Sequence, residues 1–216
     1  MAQRVQYQAP PLLEEELAST PLGQFRKWFA DAVAAGLPEP NAVSLATCGL
    51  DGPSVRMVLA KEVRPEGVRF FTNRMSRKAR QIEDDPRVAM GFAWIPLHRQ
   101  VLIRGRAEPL PRAVAESYFS GRPRDDRLGA WVSMQSAPIE SRASLYKRVV
   151  QVAEEFPEGM EVPMPDYWGG YLVRASSVEF WQGQPSRLHD RLRFKATTDY
   201  PWLDEAAAWT VERLQP

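Results

Sequence analysis

The spacing of apolar residues predicts a helix near the start of the chain, in residues 20–36, "TPLGQFRKWFADAVAAG". Its apolar residues recur at helical spacing and are predicted to face the core: Leu22, Phe25, Trp28, Phe29 and Val33. Thr20 can accept a hydrogen bond as the N-cap, and Pro21 suits the first helical position. Gly36 is predicted to end the helix.

After this helix the apolar pattern changes to a period of two, which is typical of strands with one buried face. The predicted strands are 41–47, 54–63, 68–73, 87–94, 99–110, 169–183, 186–194 and 208–214. Further helices are predicted at 76–85, with Ser76 as the cap, at 111–120 and at roughly 138–156. Adjacent strands joined by tight turns, such as Asp51-Gly52, with few helices, predict an antiparallel barrel flanked by helices.

Composition and charge limit the class of protein. The chain has 216 residues, of which 44% are hydrophobic and 25% charged, and a formal net charge of +1. These values are typical of a globular domain with a substantial core. Because the net charge is near zero, we do not expect nucleic acid as a partner. We expect a mobile arm at residues 1–18 and one domain at residues 19–216.

The sequence gives no sign of a targeting or membrane segment. Its start lacks a basic region followed by an apolar stretch, and no run approaches the roughly 18 apolar residues that cross a bilayer. We therefore expect a cytoplasmic protein with no membrane partner. The one cysteine, Cys48, excludes an internal disulfide. With two distant histidines, His98 and His189, and no metal-ligand spacing, we expect no metal.

The segment 70–81, "FFTNRMSRKARQ", is a candidate phosphate site. A strand ends at Asn73 and a helix starts near Ser76, and helix N-termini bind phosphate through free N–H groups. Arg77 and Lys78 lie in that first turn, where cations are unfavourable unless an anion is bound. A solvated basic face explains the same residues equally well.

Two further segments carry isolated cations. Arg56 and Lys61 lie in an apolar predicted strand, five residues apart, so a regular strand points them to opposite faces. Either a bulge intervenes or they serve different ligands or subunits, and pairing with an acidic residue elsewhere is the alternative. Arg122 and Arg124 flank a proline in a predicted turn. Their guanidinium groups suit phosphate oxygens, but ordinary surface residues are the alternative.

The segment 186–194, "SRLHDRLRF", raises a question of charge. If it is a strand, Arg187, His189 and Arg191 share one face. A row of like charges is energetically unfavourable unless a nearby anion compensates it. The basic candidates together indicate a site for anionic small molecules with aromatic neighbours such as Trp181. No glycine-rich nucleotide motif of the Rossmann or P-loop type is present.

Six segments, in order, resemble the pyridoxamine 5′-phosphate oxidase family: "RMVLAK", "FFTNRMSRKARQIEDDPRVAMGF", "RQVLIRGRAE", "YFSGRPRDDRLGAWVSMQS", "YWGGYLVRASSVEFWQGQPSRLHDR" and the terminal "RLQP". The resemblance implies the FMN-binding split barrel, a mainly β, antiparallel, Greek-key-like fold with flanking helices. It implies a homodimer with FMN at the interface. It also implies an oxidoreductase of vitamin B6 salvage and pyridoxine biosynthesis, which oxidises pyridoxamine or pyridoxine 5′-phosphate to pyridoxal 5′-phosphate with O₂ and releases H₂O₂.

The resemblance also implies site residues. The FMN contacts would be Arg56, Met57, Val58, Leu59, Ala60, Lys61, Phe71, Thr72, Arg77, Lys78, Gln100, Gln135, Ser136, Trp181 and Arg191. The substrate contacts would be Lys61, Tyr118, Arg122, Asp126, Arg187 and His189, with Arg187 and His189 at the reacting carbon as the catalytic residues. Arg4 and Tyr7 loosely match a family segment that can close over the site.

One departure from the family pattern keeps other functions open. Asp126 stands where the family commonly has serine, and a carboxylate there would repel a substrate phosphate unless Arg122, Arg124 or Arg127 neutralises it. Ala60 replaces a usual leucine, which changes packing only. The alternatives are another flavin split-barrel oxidoreductase with a different substrate, or a non-catalytic binder of flavin or pyridoxal phosphate.

Overall fold

Every strand in the described residues belongs to one antiparallel sheet. The computed structural model describes residues 6–7, 9–50 and 52–216. The strands are β1 (Ala42–Gly49), β2 (Gly52–Leu59), β3 (Glu62–Arg64), β4 (Gly67–Asn73), β5 (Arg87–Trp94), β6 (Arg99–Pro109), β7 (Trp168–Gln182), β8 (Asp190–Ala196) and β9 (Trp209–Arg213). The α-helices are α1 (Pro21–Ala34), α2 (Arg77–Asp84), α3 (Arg112–Ser120), α4 (Arg124–Val132) and α5 (Arg142–Glu155). Short 3₁₀ helices lie at Glu14–Glu16, Ile95–Leu97, Pro185–Arg187 and Ala206–Ala208.

The sheet divides at β7, its longest strand. Along one edge β7 pairs with β6; along the other it pairs first with β4, from Trp168 to Val173, and then with β8, from Ser177 to Gln182. The main path runs β2-β1-β5-β6-β7-β4-β3, while β8 and β9 form a branch. In the described residues β2 and β3 do not pair to close this path. The predicted antiparallel architecture with flanking helices is confirmed.

The core lies between α1 and the concave side of the sheet. Trp28 of α1 packs edge-on against Phe180 of β7, with ring centroids 5.2 Å apart, and both side chains are buried. The predicted cap is confirmed, since Thr20 Oγ1 accepts the Gly23 N–H at 3.1 Å. Val33, however, is 55% exposed, so its predicted place in the core is wrong. It lies in the last turn of α1 beside the fully buried Ala32, so Val33 falls outside the covered face of the helix.

Three local predictions are corrected. The predicted turn after Arg122 is followed at once by α4, since Pro123 can precede a helix and acidic residues suit its first turn. The predicted strand 54–63 stops at Leu59 and resumes as β3. The predicted strand 186–194 begins only at Asp190, because Ser186 and Arg187 adopt positive φ angles of 56° and 66°. Arg187 and His189 therefore do not share a strand face with Arg191.

The predicted domain boundary after residue 18 and the cytoplasmic location stay predictions. Described residues before that boundary do contact the sheet: Leu12 is buried, and its N–H donates to Asp190 of β8. Arg4 and Asp51 lie outside the described residues. Within the described ranges, no helix has both the length and the apolar character required to cross a bilayer.

Candidate functional site

A cavity of about 830 Å³ lies where β2, β4 and the N-terminus of α2 face α3 and α4. It collects most of the predicted site residues, which come from segments far apart in sequence. Those lining it are Arg56, Met57, Val58, Leu59, Lys61, Phe71, Thr72, Arg77, Lys78, Tyr118, Arg122, Asp126, Gln135 and Ser136. Arg56 and Lys61 both reach it because β2 ends at Leu59, so the strict alternation that separated them does not extend to Lys61.

Arg56 is held at the floor of this cavity by neutral acceptors. Its Nη1 donates to the Leu45 carbonyl at 3.0 Å and to Thr47 Oγ1 at 2.6 Å. Its Nη2 donates to Ser54 Oγ and, at 3.2 Å, to Gln81 Oε1. No ion pair involving Arg56 occurs among the described residues, so the predicted alternative of an acidic partner is not what the structure has.

Lys78, at the start of α2, is a second cation with neutral partners, and it is buried. Its Nζ donates to Gln135 Oε1 at 2.8 Å, to Thr72 Oγ1 at 3.0 Å and to Ser76 Oγ at 3.3 Å. The residue is only 8% exposed. Ser76 occupies the N-cap position, but its hydroxyl receives Lys78 and does not cap the helix. The helix N-terminus therefore points at the cavity without a side-chain cap of its own.

The charges of this region perturb one another. Burial, with a smaller contribution from Arg56, lowers the pKa of Lys78 from 10.5 to about 8. Burial and the nearby Arg77 likewise lower the pKa of the Arg56 guanidinium. Three cations thus gather at one end of the cavity, and the hydrogen-bond partners of Arg56 and Lys78 are neutral. An anionic ligand would relieve this repulsion, and a phosphate at a helix N-terminus meets both the charge and the N–H groups.

Aromatic rings form one wall of the cavity. Phe71 and Tyr118 stack with centroids 3.9 Å apart and planes inclined by 3°, and the Trp168 ring lies nearly parallel to both, 5.5 Å from Phe71 and 6.0 Å from Tyr118. The Arg122 guanidinium lies 5.3 Å from the Trp168 centroid. Arg122 Nη1 is buried and has no hydrogen-bond partner among the described residues. Because the Arg122 side chain lines the cavity and no acidic residue pairs with it in the described part of the chain, its guanidinium is a second place where an anion fits.

Acidic residues also reach this wall. Asp126 lies in the first turn of α4, is exposed, and takes part in no ion pair among the described residues. Arg124 cannot neutralise it, because its guanidinium donates to the carbonyls of Phe156, Pro157 and Met160 beyond α5. The Asp126 carboxylate therefore adds negative charge to the side of the cavity where Arg122 lies.

The other predicted site residues lie elsewhere in the chain. Gln100, Trp181 and Arg191 stand directly opposite one another on β6, β7 and β8, so they form one row on one face of the sheet. Arg191 also pairs with Glu179, Nε to Oε1 at 2.7 Å, which raises the pKa of Arg191. Ala60 is buried and lines a smaller apolar cavity of about 350 Å³.

The loop before β8 holds Arg187 and His189 at a third cavity, of about 460 Å³. His189 Nδ1 accepts the backbone N–H of Gln184 at 3.0 Å, and its ring lies 4.6 Å from Trp181. Tyr7 covers both rings, 5.7 Å from His189 and 6.0 Å from Trp181. This second cluster is separate from the large cavity within one chain, although Trp181 joins it to the row on the sheet.

Sequence reasoning missed several residues of the large cavity and its support, among them Ser54, Gln81, Thr47 and Trp168. Ser54 lies two positions before Arg56 on β2 and so shares its face, which was a usable signal. Gln81 lies three positions after Lys78 on α2, which placed it on the same side of the helix. Thr47 and Trp168 come from β1 and β7, and only the sheet register brings them to the site.

Comparisons with known proteins indicate one family over nearly the whole chain. A family model described as pyridoxamine 5′-phosphate oxidase matches residues 29–155. A second, described as the pyridoxine 5′-phosphate oxidase C-terminal dimerisation region, matches residues 168–216. These matches, with the topology, confirm the predicted split-barrel fold class.

Individual relatives show the same pattern. A pyridoxine/pyridoxamine 5′-phosphate oxidase of Kineococcus radiotolerans is 52% identical over 216 residues, 99% of this chain and 97% of the relative. One of Burkholderia lata is 47% identical over 214 residues, again 99% and 97%. The solved structure of PhzG from Burkholderia lata, in complex with tetrahydrophenazine-1-carboxylic acid, has a TM-score of 0.85 at 27% identity, covering 96% of this chain and 99% of PhzG.

Proposed function

Because the chain belongs to the pyridoxamine 5′-phosphate oxidase family, we propose that it is an FMN-dependent oxidase of phosphorylated B6 vitamers. It converts pyridoxamine or pyridoxine 5′-phosphate to pyridoxal 5′-phosphate, with O₂ as the electron acceptor and H₂O₂ as a product. The observation that carries the proposal is a pair of cationic sites in one aromatic-walled cavity, one at Lys78 and one at Arg122. Two phosphorylated aromatic molecules, a cofactor and a substrate, would occupy the two sites.

The cofactor phosphate would lie at the N-terminus of α2. Arg56, Arg77 and Lys78 supply positive charge there, and the hydrogen-bond partners of Arg56 and Lys78 are neutral. Arg56 and Lys78 can therefore meet a dianion without having to break an ion pair of their own. FMN held there would supply the redox chemistry, namely hydride acceptance and reaction with O₂. The protein binds and orients the two molecules so that the reacting atoms meet.

The substrate phosphate would lie at the opposite wall. Arg122 offers its guanidinium, the Tyr118 hydroxyl is a further hydrogen-bond donor, and Lys61 reaches the same cavity. Fixing the phosphate at this wall sets the position of the pyridine ring, and with it the carbon that is oxidised. The stacked rings of Phe71 and Tyr118 narrow the space between the two phosphate sites, which favours flat ligands.

We propose that a second copy of the chain completes the site. Gln100, Trp181 and Arg191 form a row on the sheet outside the large cavity, and Arg187 and His189 lie on the adjoining loop. The segment that contributes most of these residues, 168–216, matches the family's dimerisation region. A homodimer would therefore place Arg187 and His189 of one copy over the cavity of the other. His189 would then assist proton movement at the reacting carbon through Nε2, since its Nδ1 is already an acceptor.

Another flavin split-barrel oxidoreductase is the second candidate, favoured by Asp126 in the cavity and by the likeness to PhzG. The comparisons within Burkholderia lata favour the first candidate. From that organism, the oxidase of B6 vitamers is 47% identical to this chain and PhzG 27%. A substrate with a carboxylate and no phosphate would also make less use of Arg122 and Lys61 together.

An absorbance spectrum of the purified protein tests the proposal. Before addition of substrate the flavin bands should be present, and anaerobic addition of pyridoxamine 5′-phosphate should bleach them. Admission of air should restore the bands and form H₂O₂ in step with pyridoxal 5′-phosphate. A yellow protein that this vitamer does not bleach, while another reduced compound does, would support the second candidate. Flavin that no substrate bleaches would indicate a carrier without turnover.

A further inference from the structure

Asp190, the first residue of β8, is a junction between distant parts of the chain. Its Oδ2 accepts the Leu12 N–H at 3.1 Å and the Gln184 side-chain amide at 3.0 Å. Its Oδ1 accepts Nη1 of Arg213 at 2.7 Å. Its side chain is only 14% exposed, so these partners have replaced most of its water. One carboxylate thereby joins the N-terminal segment, the loop before β8, and β9.

The loop between Gln184 and Asp190 is fastened at both ends through these bonds. The backbone N–H of Gln184 donates to His189 Nδ1, while its side-chain amide donates to Asp190 and, at 3.1 Å, to the Pro10 carbonyl. Because Nδ1 is an acceptor, a neutral His189 carries its proton on Nε2, which faces away from the loop. The Gln184 contacts thus set both the path of the loop and the orientation of the imidazole.

The loop needs such support because its backbone is unusual. Ser186 and Arg187 both have left-handed φ angles, and neither is a glycine. Two consecutive residues in this region persist only where the surrounding structure holds them. Within the loop, Arg187 is exposed, so its own packing does not supply that support.

Arg213 reinforces the junction from the opposite side. Its guanidinium donates to both carboxylate oxygens of Glu14, at 2.7 and 2.8 Å, and to the Leu12 carbonyl at 2.7 Å. It therefore neutralises Asp190 and binds the N-terminal segment at the same time. Without this cation, the Asp190 charge would be poorly compensated where it accepts from Gln184.

We propose that Asp190 is a positioning residue that holds the Pro185–His189 loop in its active conformation through Gln184. The proposal rests on the proposed function for the roles of Arg187 and His189. Asp190 touches neither substrate nor cofactor in this account; it acts by fixing the residues beside it. Its loss is expected to free the loop while the cation cluster around Lys78 remains intact.

Hydrogen exchange and kinetics of the Asp190→Asn holoenzyme test the proposal together. Asparagine keeps the size of the side chain but removes the charge that pairs with Arg213. Amides of residues 184–189 should exchange faster than in the wild type, and the KM for pyridoxamine 5′-phosphate should rise. We expect kcat/KM to fall by up to roughly 100-fold, because small displacements of positioning groups have effects of that size. The dissociation constant for FMN should change by less than about twofold, which a general loosening of the fold would not allow.

Glu212→Gln is the matched control. Glu212 pairs with Arg193 at 2.6 Å between the same two strands, one residue from Arg213, and does not contact the loop. It should leave both exchange at 184–189 and kcat/KM unchanged. Gln184→Met is the second variant, since it releases the loop from Asp190 while the pair with Arg213 remains to support folding. It should reproduce the kinetic effect of Asp190→Asn.

The proposal is overturned if Asp190→Asn and Gln184→Met match Glu212→Gln in exchange at 184–189 or in kcat/KM. It is equally overturned if FMN affinity falls in parallel with kcat/KM. A wild-type protein that does not oxidise B6 vitamers would contradict the proposed function instead. In that case the exchange of residues 184–189 still decides whether Asp190 holds the loop.

Discussion

The ammonium group of Lys78 donates to the amide oxygen of Gln135 at 2.8 Å, and this contact joins the start of α2 to the loop after α4. Both groups line the large cavity, and the amide offers the ammonium no negative charge. Because its hydrogen-bond partners are neutral, the positive charge of Lys78 is not compensated and can pair with an anionic ligand. The following predictions concern the charges that surround this arrangement.

The affinity for FMN should fall as pH rises above about 8. The pKa of Lys78 is lowered to about 8 in the ligand-free protein, so above that pH the lysine is mostly neutral. A bound phosphate favours the charged lysine, and binding must then take up a proton. The dissociation constant should rise by up to about tenfold per pH unit above this value. Titration of the protein with FMN, followed by quenching of flavin fluorescence from pH 6.5 to 9.5, measures it.

Lys78→Arg is the control for that pH dependence, because arginine stays charged throughout the range. A variant with the same inflection near pH 8 would show that another group titrates.

The linkage also predicts a change in the stability of the apoprotein. Between about pH 8 and 10.5 the unfolded chain holds a proton that native Lys78 has lost, so the free energy of unfolding rises with pH there.

Gln81→Glu should stabilise the apoprotein and weaken FMN binding. The Gln81 amide oxygen accepts from Thr47 and Ser54, each at 2.7 Å, and from Arg56 at 3.2 Å. A carboxylate would keep these donors and pair with Arg56 as a charge, adding about 1 kcal/mol to the free energy of unfolding. The same charge would compete with the phosphate, and we expect the dissociation constant for FMN to rise about tenfold.

Thermal unfolding and FMN titration together measure the effect of Gln81→Glu. Gln24→Glu is a suitable control, because Gln24 is also buried but lies on α1, outside the cavity. That variant should lose stability and keep its FMN affinity. Tighter FMN binding by Gln81→Glu would mean that the cation cluster does not hold the phosphate.

Arg122 and Arg124 should behave differently although they are two residues apart. Arg122→Gln removes a charge-assisted bond to the substrate phosphate worth about 1.5–3 kcal/mol, so KM should rise roughly 10- to 100-fold. Its melting temperature should fall only slightly, because Arg122 loses its contact with the Trp168 ring but no side-chain hydrogen bond in the described part of the chain. Arg124→Gln loses three bonds to carbonyl groups and should melt roughly 2–8 °C lower, with KM little altered. Steady-state kinetics and thermal melts separate the two, and equal effects on KM would contradict the assignment.

The sequence predicted the strands and α1 well because their apolar periodicity reflects burial directly. The cap at Thr20, the proline at the first helical position and the end of α2 before Pro86 follow from local chemistry that the structure retains. The prediction that Val33 faces the core was wrong because the width of the buried helix face depends on what packs against it. Apolar periodicity carries no information about that packing.

The sequence predicted many of the residues that line the large cavity but not their geometry. The family resemblance assigned Arg56 and Lys61 to one site, whereas strand alternation predicted that they lie on opposite faces. In the structure β2 ends at Leu59, so the alternation does not extend to Lys61 and both residues line the cavity. Ser186 and Arg187 have left-handed backbone conformations, but neither is a glycine, so the sequence does not mark the turn. The loop was therefore predicted as a strand. Trp168 depends on long-range sheet register, which no local pattern encodes.

Asp126→Ser should tighten substrate binding. The Asp126 carboxylate is exposed in the cavity, near Arg122, and repels a phosphate dianion through solvent, at a cost of about 0.5–1 kcal/mol. Removing it should lower the KM for pyridoxamine 5′-phosphate about two- to fivefold at low ionic strength. In about 1 M NaCl the difference should shrink, because the Debye length there is only about 3 Å. Initial rates at both salt concentrations measure this, and a KM that stays equal or rises at low salt would show that Asp126 instead assists the substrate.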